Sequence, residues 1–181
     1  MGKLLLTLLL FLPFPGNGSQ RDASDKKIMM LKPGQVTQEL GHYTTALNGN
    51  DFFLKHGEGD TRVLWIPGID TALSTDVSAL AVIDSSIIAY SGSPIYGIPG
   101  LFLFDFGEKK TRCIAPPLYF KEGFPDGTDY FEIDRVDLKN KEILFWHLKE
   151  LDNVDFSTDW KSGHEYKIKF DGTGLIKVQD R

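Results

Sequence analysis

Glu165-Tyr166-Lys167-Ile168-Lys169-Phe170, Asp171-Gly172-Thr173-Gly174, then Leu175-Ile176-Lys177-Val178-Gln179 is the stretch that decides the fold. Tyr166, Ile168 and Phe170 alternate with Lys167 and Lys169, and Ile176 and Val178 alternate with Lys177 and Gln179. A period of two with a Gly-rich turn between the runs predicts an antiparallel hairpin with one buried and one wet face. Three more pairs of runs read the same way. They are Phe52-Phe53-Leu54 with Arg62 to Ile66, Leu101 to Phe106 with Thr111 to Ala115, and Tyr130 to Asp137 with Glu142 to Leu148. Each pair brackets a polar turn, as hairpins do. Phe102, Phe104 and Phe106 alternate with Leu101, Leu103 and Asp105, which predicts a strand covered on both faces near its start. The expected class is all-β, with antiparallel hairpins forming a propeller-like or sandwich-like meander. One segment has two readings. Ser74-Thr75-Asp76 suits the start of a short helix over 75–83, whereas Val77, Ala79, Ala81 and Ile83 alternate as a strand, and the neighbouring strands favour β.

Outward from these hairpins, the N-terminus has another character. Lys3 precedes an apolar run from Leu4 to Phe14, followed by Pro15-Gly16-Asn17-Gly18-Ser19. This is the pattern of a secretory signal, with Gly16 and Gly18 as the small residues before a cut. The run is shorter than the ~20 residues a bilayer span needs. The expected organisation is a signal at 1–18, an extended N-terminal arm at 19–41 that includes the apolar run Ile28 to Leu31, and a single β-rich domain at 42–181. The expected location is periplasmic or secreted, with no membrane span in the mature chain. Residues 1–18 carry one lysine and no acid, so the mature chain is one unit more negative than the −5 of the full sequence. An acidic surface argues against nucleic acid as a partner. The one cysteine, Cys113, rules out an internal disulfide, and its place in Cys113-Ile114-Ala115 suggests a buried, inert thiol.

Residues 77 to 117 resemble one four-stranded blade of a β-propeller. Val77 to Ile83, the turn Asp84-Ser85-Ser86, Ile87 to Gly92, Gly100 to Phe106, Glu108-Lys109-Lys110 and Thr111 to Ile114 carry the likeness. Phe124-Pro125-Asp126-Gly127-Thr128 is similar to the turn of TolB-type propellers. The resemblance implies four-stranded antiparallel blades of a propeller and leaves function open, because the fold carries both enzymes and binding scaffolds.

Motifs of chemistry are sparse. No Gly-x-Ser-x-Gly occurs, Ser91-Gly92-Ser93 being the nearest approach. Glu132 and Asp134, two apart in a strand, would share one face as a carboxylate pair. Asp155, Asp159 and His164, near Asp152 and His147, supply oxygen and imidazole donors for a cation, though without the spacing of a calcium hand or a zinc helix. No cofactor is implied. Trp65 and Trp146 lie inside apolar strands and are expected to fill the core. Tyr96, Tyr119, Phe120, Phe124 and Trp160 lie in Gly-, Pro- and Asp-rich loops, a composition suited to a protein-binding surface. The expected function is an exported, non-catalytic domain that binds another protein: an inhibitor, an immunity-type protein or an envelope accessory factor. The alternatives are an extracytoplasmic hydrolase using carboxylate and histidine loop residues, and a structural propeller segment.

Overall fold

A computed structural model describes residues 27–46, 48–59, 61–69, 72–93, 99–116, 129–150 and 161–180. They form β1 (Ile28–Leu31), β2 (Val36–Thr37), β3 (Gly41–Thr45), β4 (Asp51–His56), β5 (Arg62–Trp65), β6 (Thr75–Val82), β7 (Ile87–Ser93), β8 (Gly100–Asp105), β9 (Lys110–Ala115), β10 (Asp129–Asp137), β11 (Glu142–Glu150), β12 (Lys161–Lys169) and β13 (Ile176–Asp180). The chain is all-β over these residues, as the hairpin pattern predicts. No helix among them is long and apolar enough to cross a membrane.

The strands make three sheets. The first runs β1-β3-β4-β5, the central one β2-β6-β7-β8-β9 and the third β10-β11-β12-β13. Neighbours are antiparallel throughout, except that β1 lies parallel to β3. All four hairpins read from the sequence are present. Within 75–83 the chain is strand over Thr75–Val82, with the left-handed Asp76 (φ 53°) opening a register shift before Ala79. A helix there would waste the alternation of Ala79 and Ala81 with Leu80 and Val82, which now enter different cores. Those cores lie on opposite faces of the central sheet, and burial of both sets outweighs a local capping preference.

One repeated device turns the chain. At the ends of four strands or strand-like runs an aspartate side chain accepts backbone hydrogen bonds from residues two or three positions on. Asp84 Oδ1 accepts from Ser86 N at 2.7 Å, Asp105 Oδ1 from Gly107 N at 2.7 Å, Asp137 Oδ1 from Asn140 N at 3.0 Å, and Asp171 Oδ1 from Thr173 N at 2.8 Å. The short carboxylate imitates a backbone turn and so fixes each reversal locally.

The central sheet is covered on both faces. On one side Val77, Leu80, Val82, Ile88, Tyr90, Phe102 and Phe104 pack against Leu31, Tyr43, Phe52, Leu54 and Leu64 of the first sheet. On the other, Ala79, Ala81, Ala89, Leu101, Leu103 and Ile114 pack against Phe131, Ile133, Ile143, Phe145, Tyr166 and Ile168 of the third. The alanines on this face leave room for the rings opposite, so large and small side chains interlock across the gap. Leu101 and Leu103 thus enter one core and Phe102 and Phe104 the other, as their alternation predicts. The result is a stack of three sheets with two cores. β6 to β9 form the four-stranded meander that the blade resemblance marks out.

The short strand β2 stitches the stack. The chain runs from β1 in the first sheet to β2, where Val36 and Thr37 pair with Ala81 and Leu80 of the central sheet, and returns to β3 in the first. A buried polar contact ties the other pair of sheets. The Ser78 hydroxyl donates to the Phe131 carbonyl, and Ser78 Oγ and Ser91 Oγ lie 2.5 Å apart.

Cys113 departs from expectation. It sits on β9, the outer strand of the central sheet, and is exposed rather than buried. The apolar run Cys113-Ile114-Ala115 is buried only from Ile114 on. The thiol is nonetheless pushed above its ordinary pKa, by partial desolvation, with a backbone hydrogen bond at Ala115 acting in the opposite sense.

Candidate binding face

In the first sheet, alternation sends Tyr43, Phe52, Leu54 and Leu64 inward, and therefore turns His42, Phe53 and Trp65 to the other face. The register aligns them. Ile28 pairs with His42, His42 with Phe53, and Phe53 with Trp65, so one row of side chains crosses all four strands. The His42 and Phe53 rings stack with centroids 4.1 Å apart at 18°, and Phe53 meets Trp65 at 5.5 Å and 58°. Lys55 Nζ lies 4.8 Å from the centre of the Trp65 ring, a cation–π contact worth about 0.5–1 kcal/mol at an exposed site. Phe53 and Trp65 are half-buried, while Ile28 and Met30 on β1 are 54% and 60% exposed. A solvent face that should be polar by alternation is instead an apolar and aromatic stripe.

A groove of about 520 Å³ adjoins this row, lined by Lys27, Met29, Leu40, Gly41, His42, Phe53, Leu54, Lys55 and His56. A Cβ at Gly41 would meet the Met29 methyl group, the far end of a flexible side chain that would have to turn aside. The described lining residues carry two lysines and two histidines and no carboxylate, on a chain whose net charge is −5. His42 Nε2 lies 3.2 Å from Asp51 Oδ1, within ion-pair distance. The pair is not aligned as a hydrogen bond, and Nε2 is buried without a hydrogen-bond partner.

Tyr96, Tyr119, Phe120, Phe124, Trp160, Asp155 and Asp159 lie outside the described residues. His164 faces its cross-strand neighbour Asp180, with Nδ1 and Oδ1 2.5 Å apart, and Lys177 Nζ reaches the same carboxylate at 2.8 Å. The hydrogen bond from Lys177, then that with His164, holds the Asp180 carboxyl below its usual range. Among the described residues, no group of three or more His, Cys, Asp or Glu is arranged to hold a metal ion. His147 is fully buried and stacks on Phe131 at 5.0 Å, as a core side chain. Glu132 and Asp134 flank the buried Ile133, and each meets a partner of its own. A bulge between Ile133 and Arg135 breaks the alternation. Glu132 accepts from Gln38 Nε2 at 2.8 Å, and Asp134 lies 2.6 Å from Arg135 Nη1.

Trp65 and Trp146 are half-buried rather than core-filling. Their strand neighbours Leu64 and Phe145 take the inward positions. The outer row was detectable in one respect. Phe52-Phe53-Leu54 is apolar at three consecutive positions, so one of its rings had to face away from the core. Its pairing with His42 and Trp65 depends on cross-strand register, which sequence alone does not give.

No protein-family model matches this chain, and neither a curated protein nor a solved structure matches it.

Proposed function

We propose that this chain is an exported, non-catalytic β-domain that binds another protein through the outer face of its first sheet. The observation that carries the reading is the row Ile28, His42, Phe53 and Trp65, which places apolar and aromatic side chains side by side on a solvent-facing surface. Single exposed apolar residues are ordinary, whereas a contiguous patch marks an interaction surface. Rigid rings at the centre of such a patch supply most of the contact energy in protein interfaces, with charged side chains at the rim. Lys55 and Lys27 stand in that rim position beside the groove. Export is supported by Lys3, the apolar run from Leu4 to Phe14 and the small residues Gly16 and Gly18.

A photoreactive amino acid in place of Val63, which pairs with Lys55 beside the row, tests the face in material from the protein's own compartment. A discrete cross-linked protein that disappears when Phe53→Ala and Trp65→Ala are introduced is the expected result. A cross-linking pattern insensitive to both substitutions, in a domain that still unfolds cooperatively, would overturn the reading. N-terminal sequencing of the exported chain should begin at Ser19.

A further inference from the structure

We infer that the partner engages this face by adding an extended strand to the free edge of β1, and that this strand is apolar in its middle and acidic at both ends. The inference rests on the protein-binding reading above and specifies the partner's chemistry. In the order β1-β3-β4-β5, β1 is an edge, paired along one side only among the described residues. Its sequence is Ile28-Met29-Met30-Leu31, without a charge, a proline or a bulge. Edges that must stay unpaired are protected by those devices or by shortness, and this four-residue apolar edge has only the last, so it can still template a short strand. The side chains that flank the open side, Ile28 and Met30, are the most exposed large apolar groups in the first sheet.

Charge sets what can pair there. Lys27 precedes β1 and Lys32 follows it, both exposed. Lys27 also lines the groove with Lys55, His42 and His56, and no carboxylate is among its described lining residues. An incoming strand therefore meets cations at both ends of β1. The same charges argue against a second copy of this chain. Antiparallel pairing of β1 about its own centre would set Lys27 of one copy against Lys32 of the other, and parallel in-register pairing would set each lysine beside its like. Cross-strand pairs of like charge are destabilising. An acidic strand turns both contacts favourable. It also extends the row Ile28, His42, Phe53 and Trp65 by one position, since strand addition continues the cross-strand register.

The test uses the exported chain and a labelled synthetic peptide of alternating valine and threonine with glutamates at both ends, followed by fluorescence anisotropy. Saturable binding that weakens as salt is raised is expected. The double variant Lys27→Glu, Lys32→Glu should weaken it by about tenfold or more, and a peptide with lysines at its ends should then bind the variant and not the native chain. Both substitutions are at exposed positions, so the fold is retained. A peptide N-methylated at alternate residues, which cannot make the ladder, should not bind. Binding that ignores the charge reversal or the N-methylation would overturn the proposal, as would a dimer of the native chain in sedimentation that excludes the peptide. The two readings fail separately. If the peptide does not bind while cross-linking at position 63 still traps a protein in a Phe53-dependent way, strand addition falls and the binding face stands.

Discussion

The phenol of Tyr90 is wholly enclosed between the first and central sheets, stacked on Phe102 at 5.3 Å, with Thr111 Oγ1 at 3.5 Å from its hydroxyl. Burial pushes its pKa up to about 12, against a smaller opposing effect of the Thr111 hydrogen bond. An unfolded tyrosine ionises near pH ~10. The folded value is the higher one, so the stability linked to this group is intact below about pH 10 and is lost as the pH rises toward about 12. The loss amounts to about 2–3 kcal/mol. Tyr43, also raised by burial, adds in the same direction. Urea midpoints should therefore fall across that window, and Tyr90→Phe should flatten the slope without abolishing it. Individual side chains were the least legible level of this sequence. Trp65 and Cys113 both stand in apolar surroundings along the chain. Whether such a residue is buried depends on whether its strand is central or at an edge and which face is covered, and neither is written in the residues next to it.

At the level of strands, close approach is as decisive as apolar pattern. Gly163 on β12 lies beside β11, where a Cβ would be 2.7 Å from Leu148 Cδ2 and 3.0 Å from its Cα, and would collide with the His147 carbonyl. Gly163→Ala should thus force the two strands apart and destabilise the domain by about 1–3 kcal/mol, as overpacking does, read as a lower thermal midpoint. Alanine at Gly59, with nothing within 4 Å but φ +63°, should show only the backbone penalty, about 1 kcal/mol. The hairpins were legible because their instructions are local. Asp105, Asp137 and Asp171 begin turns from their own side chains, and the period of two on either side of 171–174 names the strands. β1 and β2 were not legible as members of two different sheets. Four apolar residues carry no period, and the pairing of Val36 with Ala81 spans a stretch of chain that no local rule connects.

For the whole molecule, the central sheet contributes to both cores, so neither outer sheet has an independent partner to fold on. Phe52 belongs to one core and Phe145 to the other, and both are fully buried. Phe52→Ala and Phe145→Ala should each destabilise by about 3–5 kcal/mol. Both should shift one shared transition, seen alike by tryptophan fluorescence and near-ultraviolet circular dichroism. Two separate transitions would show that the sheets unfold independently. The all-β class followed from hairpin count and alternation. The proposed binding face did not, because it arises where register brings His42, Phe53 and Trp65, from three strands, into line.

Sharing the central sheet also imposes a timetable on a growing chain. Everything needed to close its first face lies before residue 116, whereas the side chains that close its second face, from Phe131 to Ile168, are made last. During synthesis, Ala79, Ala81, Leu101 and Leu103 therefore form a finished wall with nothing against it until β10 arrives. A chain carried across a membrane before folding would meet this gap outside the cell's interior, and a premature stop between 116 and 129 would make the gap permanent. Such a fragment should be captured by chaperones or precipitate, although most of its strands can form.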